Sequence, residues 1–203
     1  MNINPITTLI GLLQKLAEHP WVYDRIQSLA GQTHTVKRIS PRVSGILAKT
    51  VVEVGGGTGF WKRLWPADSR YICLDIEMPK LQGFRAKVPG GLAVLSDATR
   101  MCIASESADA VVCIAVLHHL TDAMFGQVLD EVQRILKSGG HLIVLDPVLS
   151  ERWAGRLLWR LDRGSYPRRS GELREKLQSK FRVIHWEDYS VYHEYVFMIG
   201  VKR

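Results

Sequence analysis

The residues best suited to chemistry are an acid and three spaced glycines that follow a short apolar run. Glu53 lies in this run, and Gly55, Gly57 and Gly59 come directly after it. Glycines at these positions let the chain turn sharply and let its backbone approach a ligand where any Cβ would clash. A dinucleotide-binding fingerprint counted from Gly55 needs its third glycine at the position of Phe60, so the pattern disfavours NAD. A carboxylate beside such a loop suits a ligand that carries an ammonium group and would repel a pyrophosphate.

Further acids follow the predicted neighbouring strands. Residues 70–75 predict a second strand that ends in Asp75, and residues 92–95 predict a third strand that is followed by Asp97. A carboxylate at the end of such a strand can accept hydrogen bonds from ribose hydroxyls. Each acid alone is compatible with an ordinary loop or a helix cap. Independent loops have no reason to place acids after successive strands, so the joint pattern indicates a ligand site.

The elements that must position these residues alternate along the chain. Residues 110–117 predict a fourth strand leading into His118 and His119, and residues 142–146 predict a fifth strand ending in Asp146. Between them a helix is predicted over 121–137 from a 3.6-residue apolar stripe, with glycines 139 and 140 as its stop signal. Two short helices are predicted over 5–19 and 20–30, and two strands over 181–189 and 193–202.

This order predicts an α/β fold, a doubly wound, Rossmann-like sheet of seven strands that is mostly parallel with an antiparallel C-terminal strand. With 203 residues and 46% hydrophobic content, the chain can bury a core as one domain. Within it we expect an N-terminal helical lid over 1–48, a ligand-binding core over 49–147, a variable substrate cap over 148–180 and a terminal β-hairpin over 181–203.

The spacing E-x-G-x-G-x-G from Glu53 resembles motif I of the class I S-adenosylmethionine (SAM) methyltransferases, and the later motifs follow in the family's order over roughly residues 50–147. The resemblance implies that the chain binds SAM and yields S-adenosylhomocysteine. It also implies that Asp75 binds the ribose and that Ile76 lies against the adenine. The other cofactor contacts that it implies lie in four places along the chain: the glycine loop with Glu53, the pair Asp97 and Ala98, Ala115, and Tyr23 as an aromatic ring closing the pocket, with Trp21 as the neighbouring candidate.

Methyl transfer needs positioning and, for some acceptors, removal of a proton. His118 and His119 follow the fourth strand, near the expected place of the transferred methyl, so one of them is a candidate general base because imidazole titrates near neutrality. The alternative is that the pair only starts a helix and lines the pocket. Asp146 is a secondary catalytic candidate. Further candidates for reaching the pocket are Tyr192, His193 and Tyr195.

A basic segment lies after the fifth strand. Residues 151–171 hold six arginines against two acids, a large part of the net charge of +7. Helical spacing places Arg152, Arg156, Arg160 and Arg163 in one row. Three interpretations remain open: a solvated helix face, a wall that recognises an anionic substrate, and an interfacial helix that contacts acidic lipid. This segment therefore suggests an anionic or lipid-linked acceptor and peripheral membrane contact.

Other features narrow the function classes. The three cysteines lack zinc-ligand spacing and are interpreted as reduced core thiols, and no metal site is expected. No secretion signal or apolar span is evident, so we expect a cytoplasmic protein. Nucleic acid is disfavoured despite a pI near 9.5, because the Asn/Asp-Pro-Pro-aromatic segment typical of amino-methylating enzymes is absent. The sequence therefore favours methylation of a small molecule. The alternatives are a basic protein acting on RNA or a membrane, and a protein that binds SAM without methyl transfer.

Overall fold

The computed structural model describes residues 32–149, 159, 166–191 and 194–203. Strands and helices alternate through most of this part of the chain, with short 3-10 turns at Phe60–Leu64 and Leu117–His119. The helices are α1 (Gln32–Val43), α2 (Met78–Lys87), α3 (Asp122–Ile135) and α4 (Ser170–Lys180). The strands are β1 (Thr50–Val54), β2 (Arg70–Asp75), β3 (Leu92–Leu95), β4 (Ala108–Ile114), β5 (Leu136–Val148), β6 (Phe181–Ser190) and β7 (Glu194–Lys202).

The strands form one seven-stranded sheet in the order β3-β2-β1-β4-β5-β7-β6. Strands β1 to β5 pair in parallel, whereas β7 runs antiparallel to both β5 and β6. The predicted fold, mostly parallel with an antiparallel C-terminal strand, is therefore confirmed. Because parallel strands end at the same edge of a sheet, the segments that follow β1, β2, β4 and β5 are brought together there.

Helices cover both faces of the sheet. One face packs α3 and α4 through Phe125, Val132 and Leu177 against the even-numbered residues of β1 and β5. The other face packs α1, the 3-10 turn at Phe60–Leu64 and α2 against Val51, Tyr71 and Val112. Alternation of side chains along each strand, with apolar residues on both faces, is what a sheet buried on both sides requires.

The predicted boundary between α3 and β5 is wrong by several residues. Helix α3 ends at Ile135, and β5 begins at Leu136 and continues to Val148. Leu136 pairs with Ala108 of β4, and pairing resumes at His141 opposite Ala110, so the intervening residues bulge out of the ladder. Gly139 has φ 73°, which glycine adopts without steric cost. The glycines therefore form a bulge within the strand rather than a stop after the helix.

Helices α2 and α4 were not predicted from the sequence, and α1 lies within the helical region expected over 1–48 but was not delimited there; each has a short apolar repeat that marks it in hindsight. Helix α1 buries Ile39 and Val43, α2 buries Leu81 and Phe84, and α4 buries Leu173 and Leu177. The two helices predicted over 5–19 and 20–30 lie outside the described residues. Among the helices that are described, none is long and apolar enough to cross a bilayer.

The cysteines divide into two kinds. Cys73 and Cys113 are buried in β2 and β4, as expected for core thiols, and neither forms a disulfide. Cys102 is exposed and lies in the loop between β3 and β4, so the interpretation of all three as core residues is wrong for this one. In this loop Met101 is the buried residue, so its neighbour Cys102 is left exposed.

Candidate functional site

The glycine loop after β1 turns through left-handed backbone conformations. Gly55, Gly57 and Gly59 have φ values of 65°, 56° and 79°, a region that residues with a Cβ adopt only with strain. A Cβ at Gly56 would lie 2.6 Å from Oε2 of Glu53. The loop is held to β2 by a hydrogen bond of 3.0 Å from the Gly56 amide to the Leu74 carbonyl. The spacing of the three glycines is thus explained by backbone geometry.

Glu53 is buried at the end of β1, with 1% of its surface exposed. The Tyr71 hydroxyl donates a hydrogen bond of 2.7 Å to its Oε2. Burial raises the pKa of Glu53 from 4.5 to about 8; the hydrogen bond from Tyr71 opposes this rise and the charge of Asp75 adds to it. Burial therefore favours the neutral acid at pH 7.

Asp75, at the end of β2, is 6% exposed and fastens the turn around it. Its Oδ2 accepts a hydrogen bond of 2.9 Å from the Gly57 amide, and its Oδ1 accepts one of 2.9 Å from the Glu77 amide. Between these anchors, Ile76 is 70% exposed and presents an apolar face. Asp75 therefore links the glycine loop to the start of α2.

The segment after β3 carries Asp97 and Ala98. The Thr99 amide and hydroxyl each donate a hydrogen bond of 2.8 Å to Oδ1 of Asp97. These hydrogen bonds hold the pKa of the Asp97 carboxyl below its ordinary value, so the exposed acid is ionised. Ala98 is half-buried against the core. The adenine-side candidates therefore lie on a short, locally braced turn beside Asp75, whose carbonyl accepts a hydrogen bond of 3.1 Å from the Ser96 amide.

A cleft opens beside the glycine loop at the same edge of the sheet. Ala115, which has φ 53°, contributes to it after β4 and is held by a hydrogen bond of 2.8 Å from its amide to the Leu145 carbonyl. Tyr195 of β7 also lies in the wall, as one of the candidates expected to reach the pocket. The other polar side chains that line the cleft are Gln32 and Thr35 of α1, Glu53 of β1 and Thr58 of the glycine loop. The other apolar ones are Phe60 and Trp61 of the 3-10 turn, Ile114 of β4 and Leu145 of β5.

His118 and Asp146 form a buried pair on the neighbouring strand ends. Nδ1 of His118 lies 3.1 Å from Oδ1 of Asp146, and each residue is 3% exposed. The same oxygen accepts hydrogen bonds of 3.0 and 3.1 Å from the amides of Val116 and Leu117. The His119 ring is exposed, and its centroid lies 4.1 Å from that of His118. The carboxylate thus fixes both the backbone of the loop and one imidazole.

Arg168 holds the loop that carries His118 and His119. Its guanidinium is buried, with 7% of the residue exposed. It donates hydrogen bonds of 2.9 Å to the Leu117 carbonyl and 2.8 Å to the Leu120 carbonyl. Asp122 at the start of α3 accepts two more from it, at 3.1 and 2.9 Å. One arginine of the basic segment is therefore a structural clamp on the residues that flank His118 and His119.

Several sequence candidates lie outside the described residues: Trp21, Tyr23, Tyr192, His193 and the arginine row Arg152, Arg156, Arg160 and Arg163. The sequence analysis in turn missed Tyr71 and Arg168. Tyr71 lies two residues before Cys73, so the two side chains share one face of β2. Cys73 is paired with Glu53 across β1 and β2. Strand alternation is therefore the signal that places Tyr71 on the same face as Glu53. Arg168 carried none, because its partners are backbone carbonyls about fifty residues away in the chain.

The chain is similar to a protein-family model, to curated proteins and to solved structures. Residues 52–144 match a family model described as a methyltransferase domain. The chain is 30% identical over 129 residues to tRNA (carboxymethyluridine(34)-5-O)-methyltransferase of Arabidopsis thaliana, covering 61% of this chain and 31% of that protein. It is 32% identical over 110 residues to norreticuline-7-O-methyltransferase of Papaver somniferum, covering 54% of this chain and 30% of that protein. The chain thus spans about a third of the length of these curated relatives.

Among solved structures, the fold is similar to that of Burkholderia thailandensis 1,6-didemethyltoxoflavin-N1-methyltransferase, with a TM-score of 0.69 and 15% identity. The match covers 100% of this chain and 92% of that one, whose structure contains 1,6-didemethyltoxoflavin and S-adenosylhomocysteine. At this identity the likeness is one of fold.

Proposed function

The chain belongs to the class I SAM-dependent methyltransferases, and from this premise we propose that it transfers the methyl group of SAM to a small-molecule acceptor. The observation that carries the proposal is the glycine loop that runs between two buried carboxylates, Glu53 and Asp75, and opens into a cleft with an aromatic wall. A cleft that combines apolar and aromatic side chains with a few polar groups is typical of small-ligand sites.

The residues present fit the cofactor. The cradle between Gly55 and Gly59 has no room for additional Cβ atoms, so a ligand meets backbone amides there. We assign Glu53 to the ammonium group, Asp75 to the ribose hydroxyls and Ile76 to one adenine face. We likewise assign Asp97 and Ala98 to the adenine edge and Ala115 to the methionine end of the cofactor. Tyr23 remains a proposed closing ring.

SAM supplies the electrophilic methyl group, so this chain has to orient the acceptor and remove its proton where needed. Asp146 contacts Nδ1 of His118, and we assign proton transfer to the other ring nitrogen, Nε2. His119 is exposed beside it and can contact an acceptor directly. We propose that one of these two imidazoles is the general base and that Asp146 orients the pair.

Both curated relatives are O-methyltransferases by name, which supports an oxygen acceptor for this chain. A neutral hydroxyl becomes a useful nucleophile only as its proton leaves, so an oxygen acceptor also gives the histidines a task. The apolar and aromatic lining by Trp61, Ile114 and Tyr195 suits a ring-containing acceptor. An anionic or lipid-linked acceptor and contact with a membrane stay proposals based on the sequence of residues 151–171.

RNA is the second candidate acceptor, and the observation that favours it is the similarity to a tRNA methyltransferase. Binding to RNA would rely on neutralising phosphates, so it would weaken steeply as salt is raised. Unmodified tRNA that becomes methylated by the purified protein would establish this alternative. We place the protein in the cytoplasm as a proposal, supported by the three free thiols of Cys73, Cys102 and Cys113.

Calorimetric titration with SAM, S-adenosylhomocysteine and NAD tests the cofactor. We expect the first two to bind and NAD not to bind, because the loop lacks the third glycine of a dinucleotide site. The protein would then be incubated with SAM and a panel of hydroxyl-bearing aromatic compounds, or with tRNA, and S-adenosylhomocysteine formation would be measured. Absence of SAM binding would overturn the proposed function. Binding without turnover on either acceptor class would favour a protein that binds SAM without methyl transfer.

A further inference from the structure

Glu53 lines the cleft and forms a buried acid–phenol pair with Tyr71 of the core. Both residues are 1% exposed, and the phenol O–H donates to Oε2 of Glu53 at 2.7 Å. Burial, and then the Glu53 charge and this hydrogen bond, raise the pKa of Tyr71 well above its ordinary value, so the phenol remains a donor at all physiological pH values. Tyr71 can therefore stabilise an ionised Glu53 but cannot neutralise it.

Among the residues that the structure describes, none of the side chains lining the cleft beside Glu53 is a cation. Cys73 and Asp75 of β2 lie on the same face of the sheet beside Glu53, and Val112 of β4 is paired with it on the other side; these groups are neutral or acidic. Across the cleft lie Gln32 and Thr35 of α1, Trp61 of the 3-10 turn and Tyr195 of β7, all uncharged. The Lys62 ammonium lies over the Tyr71 ring, 5.7 Å from its centroid. Between described residues, no ion pair includes Glu53.

Given the assignment of Glu53 to the ammonium group of the cofactor, we propose that the buried Glu53 carboxyl releases its proton to solvent when the cofactor binds, and that Tyr71 is the residue that positions and stabilises the resulting carboxylate. This inference rests on the proposed function, because it assumes that a SAM-type ligand occupies the cleft. The O–H bond of the Glu53 carboxyl breaks, its proton passes to solvent, and the carboxylate pairs with the incoming ammonium. One positive charge therefore enters the buried site and one leaves it.

The proton release makes cofactor affinity depend on pH in a defined direction. Below the pKa of Glu53, about 8 in the free protein, affinity rises with pH, by up to about tenfold per unit. At higher pH the ligand's own α-amino group loses its proton and affinity falls. A ligand without the amino-acid part, such as 5′-methylthioadenosine, has no ammonium to pair with Glu53 and should not show the rising limb.

Calorimetry with S-adenosylhomocysteine and 5′-methylthioadenosine tests the inference without an acceptor. Titrations at several pH values between about 6 and 8.5, each in two buffers of different ionisation enthalpy, give both affinity and protons released. We expect nearly one proton released per S-adenosylhomocysteine bound near pH 6.5 and none for 5′-methylthioadenosine. Tyr71→Phe should lower S-adenosylhomocysteine affinity at pH 7 by about 3- to 10-fold, the worth of one hydrogen bond to a carboxylate, and move the rising limb to higher pH.

Matched variants separate this role from a structural one. Tyr189→Phe removes another buried tyrosine hydroxyl from the same face of the sheet and should leave proton release unchanged. Glu53→Gln cannot ionise and should abolish the release. S-adenosylhomocysteine binding by the parent protein without proton release, or a Tyr71→Phe variant with an unaltered pH profile, would overturn the inference and leave the proposed function standing. Failure of every adenosyl ligand to bind would instead overturn the proposed function and the inference with it.

Discussion

One carboxylate oxygen of Asp146 accepts hydrogen bonds from two successive backbone amides and also lies 3.1 Å from Nδ1 of His118. The amides belong to Val116 and Leu117, which lead from β4 into the histidine pair. The β4–β5 pairing places Ile114 opposite Leu145, so Asp146 follows directly at the adjacent strand end. The position of His118 is therefore determined by the register of two parallel strands and not by its own loop alone.

Asp146→Asn should change the tautomer of His118 with little change in fold. The amide oxygen can still accept from the two backbone amides, but it is a poorer acceptor for an imidazole N–H, and a reorganised amide can donate to Nδ1 instead. Nitrogen NMR of the imidazole should show a loss of the Nδ1–H form, and turnover with an acceptor should fall by about 10- to 100-fold. Asp109→Asn is the control, since Asp109 caps Thr50 at the other end of β4. An unaltered His118 spectrum would contradict the orienting role.

Replacing His118 or His119 separately with Ala distinguishes the two candidate bases. Loss of a general base should lower turnover by about 100-fold or more while S-adenosylhomocysteine affinity stays near that of the parent. His118 is buried against Asp146 and the Trp159 ring, so its removal should also lower stability, whereas removal of exposed His119 should not. Full turnover from both variants would retire the general-base proposal.

Arg168→Lys should destabilise the protein by about 2 to 3 kcal/mol, because an ammonium cannot reproduce the forked donation to two carbonyls and a carboxylate. The guanidinium also lies 4.6 Å from the centroid of the Phe125 ring, a contact that Lys would reproduce poorly. The measurement is the urea midpoint, with Arg169→Lys as the control because Arg169 is the exposed neighbour. Equal midpoints for the two variants would show that Arg168 is not a clamp.

Much of the fold followed from strand patterns that are local in the sequence. The bounds of β2 and β3, and the acids near the carboxyl ends of β1, β2 and β5, depend on short runs that carry their own signal. The glycines that bulge out of β5 were predicted to end a helix, because glycine is common both after helices and in strand bulges. Only the pairing of Leu136 with Ala108 shows that they lie within the strand. Arg168 was assigned to a basic segment because its charge is local, whereas its carbonyl partners come from a distant strand end.

Asp75→Ala should weaken binding of both S-adenosylhomocysteine and 5′-methylthioadenosine, because the ribose is common to the two ligands. We expect at least about tenfold weaker binding, from the loss of a charge-assisted hydrogen bond. The variant should also lose some stability, since Gly57 and Glu77 each lose an acceptor for a backbone amide. Calorimetry with both ligands checks the first effect and urea unfolding the second. Unchanged affinity for both ligands would remove Asp75 from the ribose site.

The unfolding free energy of the Glu53→Gln variant, relative to that of the parent protein, should increase as pH rises. In the unfolded chain a glutamic acid releases its proton near its ordinary pKa of 4.5, whereas in the folded protein Glu53 retains it to about 8. Between these values the folded state binds more protons than the unfolded state, so the parent loses up to about 1.4 kcal/mol of unfolding free energy per pH unit as pH increases. Glutamine has no such proton, so its stability relative to the parent should rise from pH 5 to pH 8 and then level off.

Urea unfolding of both proteins at pH 5, 6, 7 and 8 measures this difference directly. Glu175→Gln, on the exposed surface of α4, is the control for the substitution itself, and its difference from the parent should stay nearly constant over the same range. A constant difference for Glu53→Gln would mean that Glu53 is already ionised in the empty protein, which would require a buried cation near it. A rising difference would show that the empty cleft stores a neutral acid, so that any ligand bringing an ammonium group must displace its proton.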